Sequence, residues 1–169
     1  MLEKRFEAHQ KALEALHAWN IKGRIAFRAG EDAWHAKLYW KQDGARFEMR
    51  LLAPLGQGGI DIRGDGHRVL VSLPRGKTLV TEDPEALLRA ELGWELPLKE
   101  LRYWIRGLPA PYLPYRKRLD GEGRLHELFQ DGWHVVYARY TQRDGLPLPA
   151  KITLERGEMV ARLVIETWR

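Results

Sequence analysis

The sequence contains no cysteine among its 169 residues. This absence excludes disulfides, thiol nucleophiles, thioester chemistry and metal sites built on thiolates. Serine is almost absent too, because Ser72 is the only one and it lies in a strand-like run rather than in a Gly-x-Ser-x-Gly turn. No apolar run approaches the roughly 20 residues that a membrane-spanning helix needs. Serine hydrolases, disulfide scaffolds and helical membrane spans are therefore excluded.

Other catalytic signatures are missing as well. The glycine-rich segment Gly56–Gly59 lacks the Lys-Ser/Thr ending of a phosphate-binding loop and precedes a strand-like run, so it predicts a turn. The six histidines show neither a His-Glu-x-x-His motif nor another paired ligand spacing, and they are His9, His17, His35, His67, His126 and His134. The sequence thus predicts no metal site and no cofactor.

The charge balance is mildly basic. Lys and Arg number 28 against 23 Asp and Glu, which gives a net charge of +5 and suits an acidic partner or an anionic surface. Aromatic residues stand beside basic ones at 102–104 and 115–118, a combination also found in nucleic-acid-binding proteins. Because acidic residues are interspersed almost everywhere else, we do not predict nucleic-acid binding.

In the first half of the chain, the spacing of apolar residues changes from the period of a helix to that of a strand. Apolar residues share one face over 2–18, which predicts an opening helix. Beyond it, apolar and polar residues alternate in runs separated by turn residues such as Asp43-Gly44 and Asp65-Gly66. The runs are 21–27, 34–40, 47–51, 60–62 and 69–73. This pattern predicts an antiparallel meander.

The second half begins with two helices and then returns to strands. Asp83 and Pro84 predict the start of a short helix that Gly93 ends, and a second helix follows over 97–107. Three prolines make 108–114 an extended connection, and strand periodicity returns at 125–129, 133–140, 152–154 and 163–165. We predict an α+β fold with a curved antiparallel sheet or barrel of about 10–11 strands, and an apolar cavity beneath its helices.

Several segments in order resemble the LolB family of outer-membrane lipoprotein receptors. They extend over nearly the whole chain and comprise Gly23–Phe27, Trp40, the run from Phe47 to Gly56, Leu96–Leu98, Tyr103–Pro109, Trp133–Tyr137, Leu148–Ile152 and Trp168. The resemblance implies one domain over residues 1–169, built as an incomplete antiparallel barrel with helices over a lipid cavity. It implies no catalysis.

The resemblance also implies partners and a function. Such proteins accept triacylated lipoproteins from the periplasmic carrier LolA and insert them into the inner leaflet of the outer membrane. The partners would be a LolA-type carrier, lipoprotein acyl chains and the outer-membrane lipid surface. From the residues alone, a periplasmic binding module for another apolar ligand and an enzyme with an apolar pocket stay open as alternatives.

Two sets of site residues follow from the resemblance. A hydrophobic residue on a protruding loop matches Leu55, between Pro54 and Gly56, and the loop is expected to enter the membrane. The candidates for lining the lipid cavity are Phe27, Trp40, Phe47, Met49, Trp104, Ile105 and Tyr137. Packed core is the alternative role for each of them.

The family is anchored at the periplasmic face of the outer membrane by a lipidated N-terminal cysteine, which this sequence lacks. We therefore expect a soluble form in which Met1 replaces the signal peptide and lipobox. A naturally unanchored homologue is the alternative.

Overall fold

Alternating side chains produce the sheet that dominates this protein. The structure, a computed structural model, describes residues 1–54 and 58–169. Its main elements are α1 (Leu2–Glu14), β1 (Ala18–Ala29), β2 (Asp32–Asp43), β3 (Arg46–Leu52), β4 (Gly59–Gly64), β5 (Val69–Ser72), β6 (Thr78–Thr81), α2 (Pro84–Leu92), α3 (Leu98–Trp104), β7 (Tyr115–Leu119), β8 (Leu125–Gln130), β9 (Trp133–Arg143), β10 (Leu146–Arg156) and β11 (Met159–Trp168).

All eleven strands belong to one antiparallel sheet. Its order is β6-β5-β4-β3-β2-β1-β11-β10-β9-β8-β7. Strands that pair are therefore consecutive in the chain, except that β1 pairs with β11. Within the described residues β6 and β7 are edges and the sheet is open. The predicted fold class, an incomplete antiparallel barrel of about 10–11 strands with a leading helix and an inserted helical pair, is confirmed.

The sheet has a buried inner face and an exposed outer face. In β1, Trp19, Ile21 and Ile25 are buried while Lys22 and Arg24 between them are exposed. The same alternation in the other long strands directs their apolar side chains to one side, where they form the core with residues of the three helices. The outer face carries many charged side chains, among them Lys22, Arg24 and Lys37.

The sequence signals for α2 correspond to real caps. The Asp83 carboxylate accepts a hydrogen bond from the Ala86 N–H at 3.1 Å, and Pro84 occupies the first turn. Gly93 ends the helix with a φ of 71°, which favours glycine. The N-terminal helix, by contrast, ends at Glu14 rather than at 18, because Ala18 already pairs with Asp43 of β2.

Two short strands, β6 and β7, were not predicted. In β7 the exposed and half-buried positions carry Arg116, Lys117 and Arg118 in succession, so the segment shows no apolar alternation. This is typical of an edge strand, which has a partner on one side only. None of the helices described here has the length and apolar character to cross a membrane.

Candidate functional site

A cavity of about 280 Å³ lies between the inner face of β2 and β3 and the helix α3. Residues of the 66–69 turn and the start of α2 complete its wall. The side chains that line it are mainly apolar, and include Trp40, Phe47, Met49, Val69, Leu98 and Tyr103. Polar side chains at its boundary include His67, Glu82, Lys99 and Arg102. The cavity thus combines an apolar interior with charged groups.

Trp40 and Gln42 form the part of the cavity wall that we call its floor, and hydrogen bonds and tryptophan packing hold these two side chains in place. The Trp40 indole N–H donates to Gln42 Oε1 at 2.9 Å, and Gln42 Nε2 donates to the Gly44 carbonyl at 2.9 Å. Trp19 packs against Trp40 with ring centroids 5.0 Å apart. Because the polar atoms of the floor bind one another, the surface toward the cavity is predominantly apolar.

A second buried glutamine anchors α3 to the sheet. Gln130 Oε1 accepts from the Trp104 indole N–H at 2.7 Å and from the Ala110 N–H at 2.9 Å. Gln130 Nε2 donates to the carbonyls of Ala110 and Leu113 at 2.8 and 3.0 Å. The Tyr137 hydroxyl also donates to the Trp104 carbonyl at 2.6 Å. The C-terminal end of α3 is therefore fixed to the sheet.

A buried arginine joins α3 to the N-terminal helix. Arg106 Nη1 donates to the carbonyls of Leu13 and Leu16, at 3.2 and 3.3 Å, just where α1 ends. Burial, together with the neighbouring Arg102 guanidinium, lowers the pKa of Arg106 to about 10, so the side chain stays charged at neutral pH. A cation at a helix C-terminus also complements the helix dipole.

Arg106→Leu is expected to destabilise the protein by about 2 kcal/mol, because it removes a charged hydrogen-bond donor from buried carbonyls. Chemical denaturation of both proteins measures the difference. The exposed Arg46 provides the matched control, and Arg46→Leu is expected to change the free energy of unfolding by less than about 0.5 kcal/mol. Equal effects of the two substitutions would contradict the capping role of Arg106.

The predicted cavity residues divide into two groups. Trp40, Phe47 and Met49 line the cavity of about 280 Å³. The other four candidates are buried and do not line it, and they are Phe27, Trp104, Ile105 and Tyr137. For all seven, contact with lipid stays a prediction.

The predicted insertion loop connects β3 to β4. The Ala53 N–H donates to the Gly58 carbonyl at 3.0 Å, and Pro54 is exposed. Leu55 and Gly56, the other two residues of this prediction, lie outside the described residues. The structure therefore describes the two ends of this connection, at Ala53 and Pro54 on one side and Gly58 on the other.

Sequence reasoning missed the two buried glutamines and Arg106. Gln42 lies two residues after Trp40, and Gln130 lies two residues after Leu128. Both glutamines therefore occupy inward-facing positions of their strands. A polar residue at an inward position signals a buried hydrogen-bonding group, and this signal was available. Arg106 had no such signal, because its partners are carbonyls some 90 residues earlier in the chain.

Sequence comparisons match this chain to a family of outer-membrane lipoproteins. A family model described as "Outer membrane lipoprotein LolB" matches residues 17–168. The chain is 41% identical over 165 residues to the outer-membrane lipoprotein LolB of Nitrosococcus oceani, covering 97% of this chain and 82% of that protein. It is 37% identical over 164 residues to the LolB of Pseudomonas putida strain GB-1, covering 97% and 80%.

Solved structures show the same fold at low sequence identity. A LolA-superfamily protein from Nitrosomonas europaea superposes with a TM-score of 0.59 at 9% identity, over 96% of this chain and 92% of that one. A domain from Vibrio parahaemolyticus, described as an outer membrane lipoprotein-sorting protein, gives 0.62 at 9% identity, over 100% and 93%. These likenesses concern the fold alone.

Proposed function

The chain belongs to the LolB family of outer-membrane lipoproteins, and on this premise we propose that it receives triacylated lipoproteins from a LolA-type periplasmic carrier and inserts them into the inner leaflet of the outer membrane. The observation that carries the proposal is the family match over residues 17–168. The apolar cavity under α3 supports it, since acyl chains need a water-free site. No bond is made or broken in this function.

Transfer without a nucleotide must run downhill in binding free energy from carrier to receptor to bilayer. Burial stabilises an acyl chain by about 0.8 kcal/mol per CH₂, which amounts to on the order of 10 kcal/mol for a chain of some sixteen carbons. Free lipoprotein in water is therefore negligible. We infer that carrier and receptor pass the chains directly, with their cavities in contact.

The cavity has to enlarge for this role. Its volume of about 280 Å³ lies just below the roughly 300–1,000 Å³ of pockets that hold drug-sized ligands. Three acyl chains need considerably more space than one such ligand. Because Gln130 and Arg106 hold the C-terminal end of α3, we infer that enlargement occurs at the opposite end of this helix, beside Leu98 and Val69.

Specific residues have proposed roles. Trp40, Phe47 and Met49 would contact acyl chains, with Phe27, Trp104, Ile105 and Tyr137 joining them if the cavity extends. Leu55, flanked by Pro54 and Gly56, would enter the bilayer and begin delivery. We also propose that residues 1–169 act as one domain at the periplasmic face of the outer membrane.

The function is tested by reconstitution. A LolA-type carrier loaded with a triacylated lipoprotein is mixed with this protein, and liposomes are then added. We expect the lipoprotein to co-purify first with this protein and then with the liposomes. Acceptance of free fatty acid but not of lipoprotein would overturn the proposal and favour a binding module for another apolar ligand.

Filling the cavity is expected to block lipid binding. Ala45 is exposed and lines the cavity, so Ala45→Trp places a large ring there without disturbing the core. We expect an environment-sensitive apolar dye to bind the unmodified protein, to be displaced by a triacylated peptide, and to bind Ala45→Trp at least tenfold more weakly. Ala33 of β2 is also exposed but does not line the cavity, and Ala33→Trp should bind the dye normally. Equal binding by both variants would contradict this location of the lipid site.

The encounter with the carrier is expected to be weak and salt-sensitive. Lys99 is exposed at the cavity boundary, and Lys99→Glu should weaken carrier binding about fivefold, as expected for loss of an exposed ion pair of about 1 kcal/mol. Raising the salt from 0.1 to 1 M shortens the Debye length from about 10 to about 3 Å and should weaken the unmodified complex too. Titration calorimetry at both salt concentrations measures this, with Lys4→Glu on α1 as the control. Salt-independent affinity would mean that charge plays no part in the choice of carrier.

A further inference from the structure

A groove of about 1100 Å³ lies on the outer face of the sheet, opposite the apolar cavity. It crosses β1, β2, β10 and β11 and reaches the β3–β4 connection. The side chains and backbone that line it belong to Arg24, Ile25, Ala26, His35, Ala36, Lys37, Leu52, Ala53, Pro54, Gly58, Gly59, Lys151, Arg162 and Val164. We call this surface the outer groove.

The outer groove has an excess of positive charge. Strand register aligns Lys37 with Arg24, and Val164 lies between Arg24 and Lys151. Arg162 pairs with Ala26 in the adjacent row. No acidic residue contributes to the described lining, and of its cations only Arg24 has an ion-pair partner among the described residues, with Nε 3.3 Å from a Glu166 oxygen.

Apolar groups lie between these cations. Ala26 and Val164 separate the charged side chains, while Leu52, Ala53 and Pro54 form the wall on the β3 side. A surface that alternates cations with small apolar groups suits a ligand that carries negative charge beside apolar atoms. Phospholipids with an anionic headgroup have this chemistry.

We propose that the outer groove binds anionic phospholipid headgroups and orients the protein on the membrane. The inference rests on the proposed function, and it adds a lipid site distinct from the apolar cavity. Two features favour lipid over an acidic protein carrier. The groove lies on the opposite face of the sheet from the cavity, so a carrier seated at the cavity would not cover it. It also includes Pro54 and Gly58, the described residues on either side of the predicted insertion loop.

The test compares vesicle binding with lipoprotein acceptance. The triple variant Lys37→Gln, Lys151→Gln and Arg162→Gln removes three exposed cations of the outer groove. The matched control, Lys4→Gln, Lys11→Gln and Arg75→Gln, removes three exposed cations elsewhere. Co-flotation is measured with vesicles of phosphatidylcholine alone and with vesicles that contain phosphatidylglycerol.

We expect the unmodified protein to prefer the phosphatidylglycerol vesicles. A cation near an anionic surface contributes about fivefold in affinity, so the groove variant should lose about 100-fold and the control much less. Equal losses in the two variants, or no preference for phosphatidylglycerol, would overturn the proposal. Loss of carrier binding with vesicle binding intact would also overturn it, and would assign the groove to an acidic protein.

Acceptance of lipoprotein from the carrier is measured separately on the unmodified protein and on both variants. The groove variant should still accept lipoprotein, because its substitutions lie on the face opposite the cavity. If the unmodified protein accepts no lipoprotein, the proposed function fails irrespective of the vesicle result. The two inferences can therefore fail independently.

Discussion

Leu55→Glu is expected to abolish delivery of lipoprotein to liposomes while leaving acceptance from the carrier intact. A leucine gains roughly 1.5–3 kcal/mol when it is buried, whereas a carboxylate resists leaving water. The variant should therefore lose at least tenfold in the rate of transfer into liposomes. Fluorescently labelled lipoprotein, followed from carrier to receptor to vesicle, separates the two steps.

An exposed leucine elsewhere provides the control for this substitution. Leu70 of β5 is 40% exposed, and Leu70→Glu makes the same chemical change away from the β3–β4 connection. It should deliver lipoprotein normally. We expect Leu55→Glu to shift the free energy of unfolding by no more than about 0.5 kcal/mol, as for a residue outside the core. If it unfolds the protein, and Leu55→Ala behaves as a core cavity, the insertion role is wrong.

Gly23→Ala is expected to destabilise the protein by about 3 kcal/mol, since overfilled positions cost about 1–3 kcal/mol and occasionally more. A Cβ at Gly23 would collide with the Val164 carbonyl oxygen and lie 3.1 Å from the Ile165 Cα. The neighbour is strand backbone, which cannot turn aside as a flexible side chain could. Thermal unfolding should show a fall of roughly 6–12 °C in the melting temperature.

Gly121 supplies the matched control, because a Cβ there would meet nothing within 4 Å. Gly121→Ala should change the free energy of unfolding by less than about 0.5 kcal/mol. If the two alanine variants are equally stable, β1 and β11 can separate enough to admit a methyl group, and the close approach at Gly23 is not a constraint. The glycine at position 23, in the segment Gly23–Phe27 that resembles the family, would then need another explanation.

Local features of the fold could be predicted because the residues that determine them are close in sequence. Asp83, Pro84 and Gly93 set the ends of α2 through contacts within a turn or two. The β1–β2 hairpin follows from two alternating runs on either side of a short turn around Gly30. The same alternation predicts that Trp40, Phe47 and Met49 lie on the inner face, where they pack in or against the core.

By itself, then, the sequence determined every described strand except β6 and β7, the caps of α2 and the division into inward and outward side chains, since period and turn chemistry are local properties. Only the tertiary structure decided that β11 joins β1, with Leu163 opposite Ile25, because alternation specifies a face and not a partner. Together with the register of β10 and β11, that pairing brings Lys151 and Arg162 onto the same face as Arg24 and thereby creates the outer groove. The tertiary structure likewise decided that Arg106 caps α1, since a hydrogen bond between residues some 90 positions apart depends on how the helices pack against the sheet.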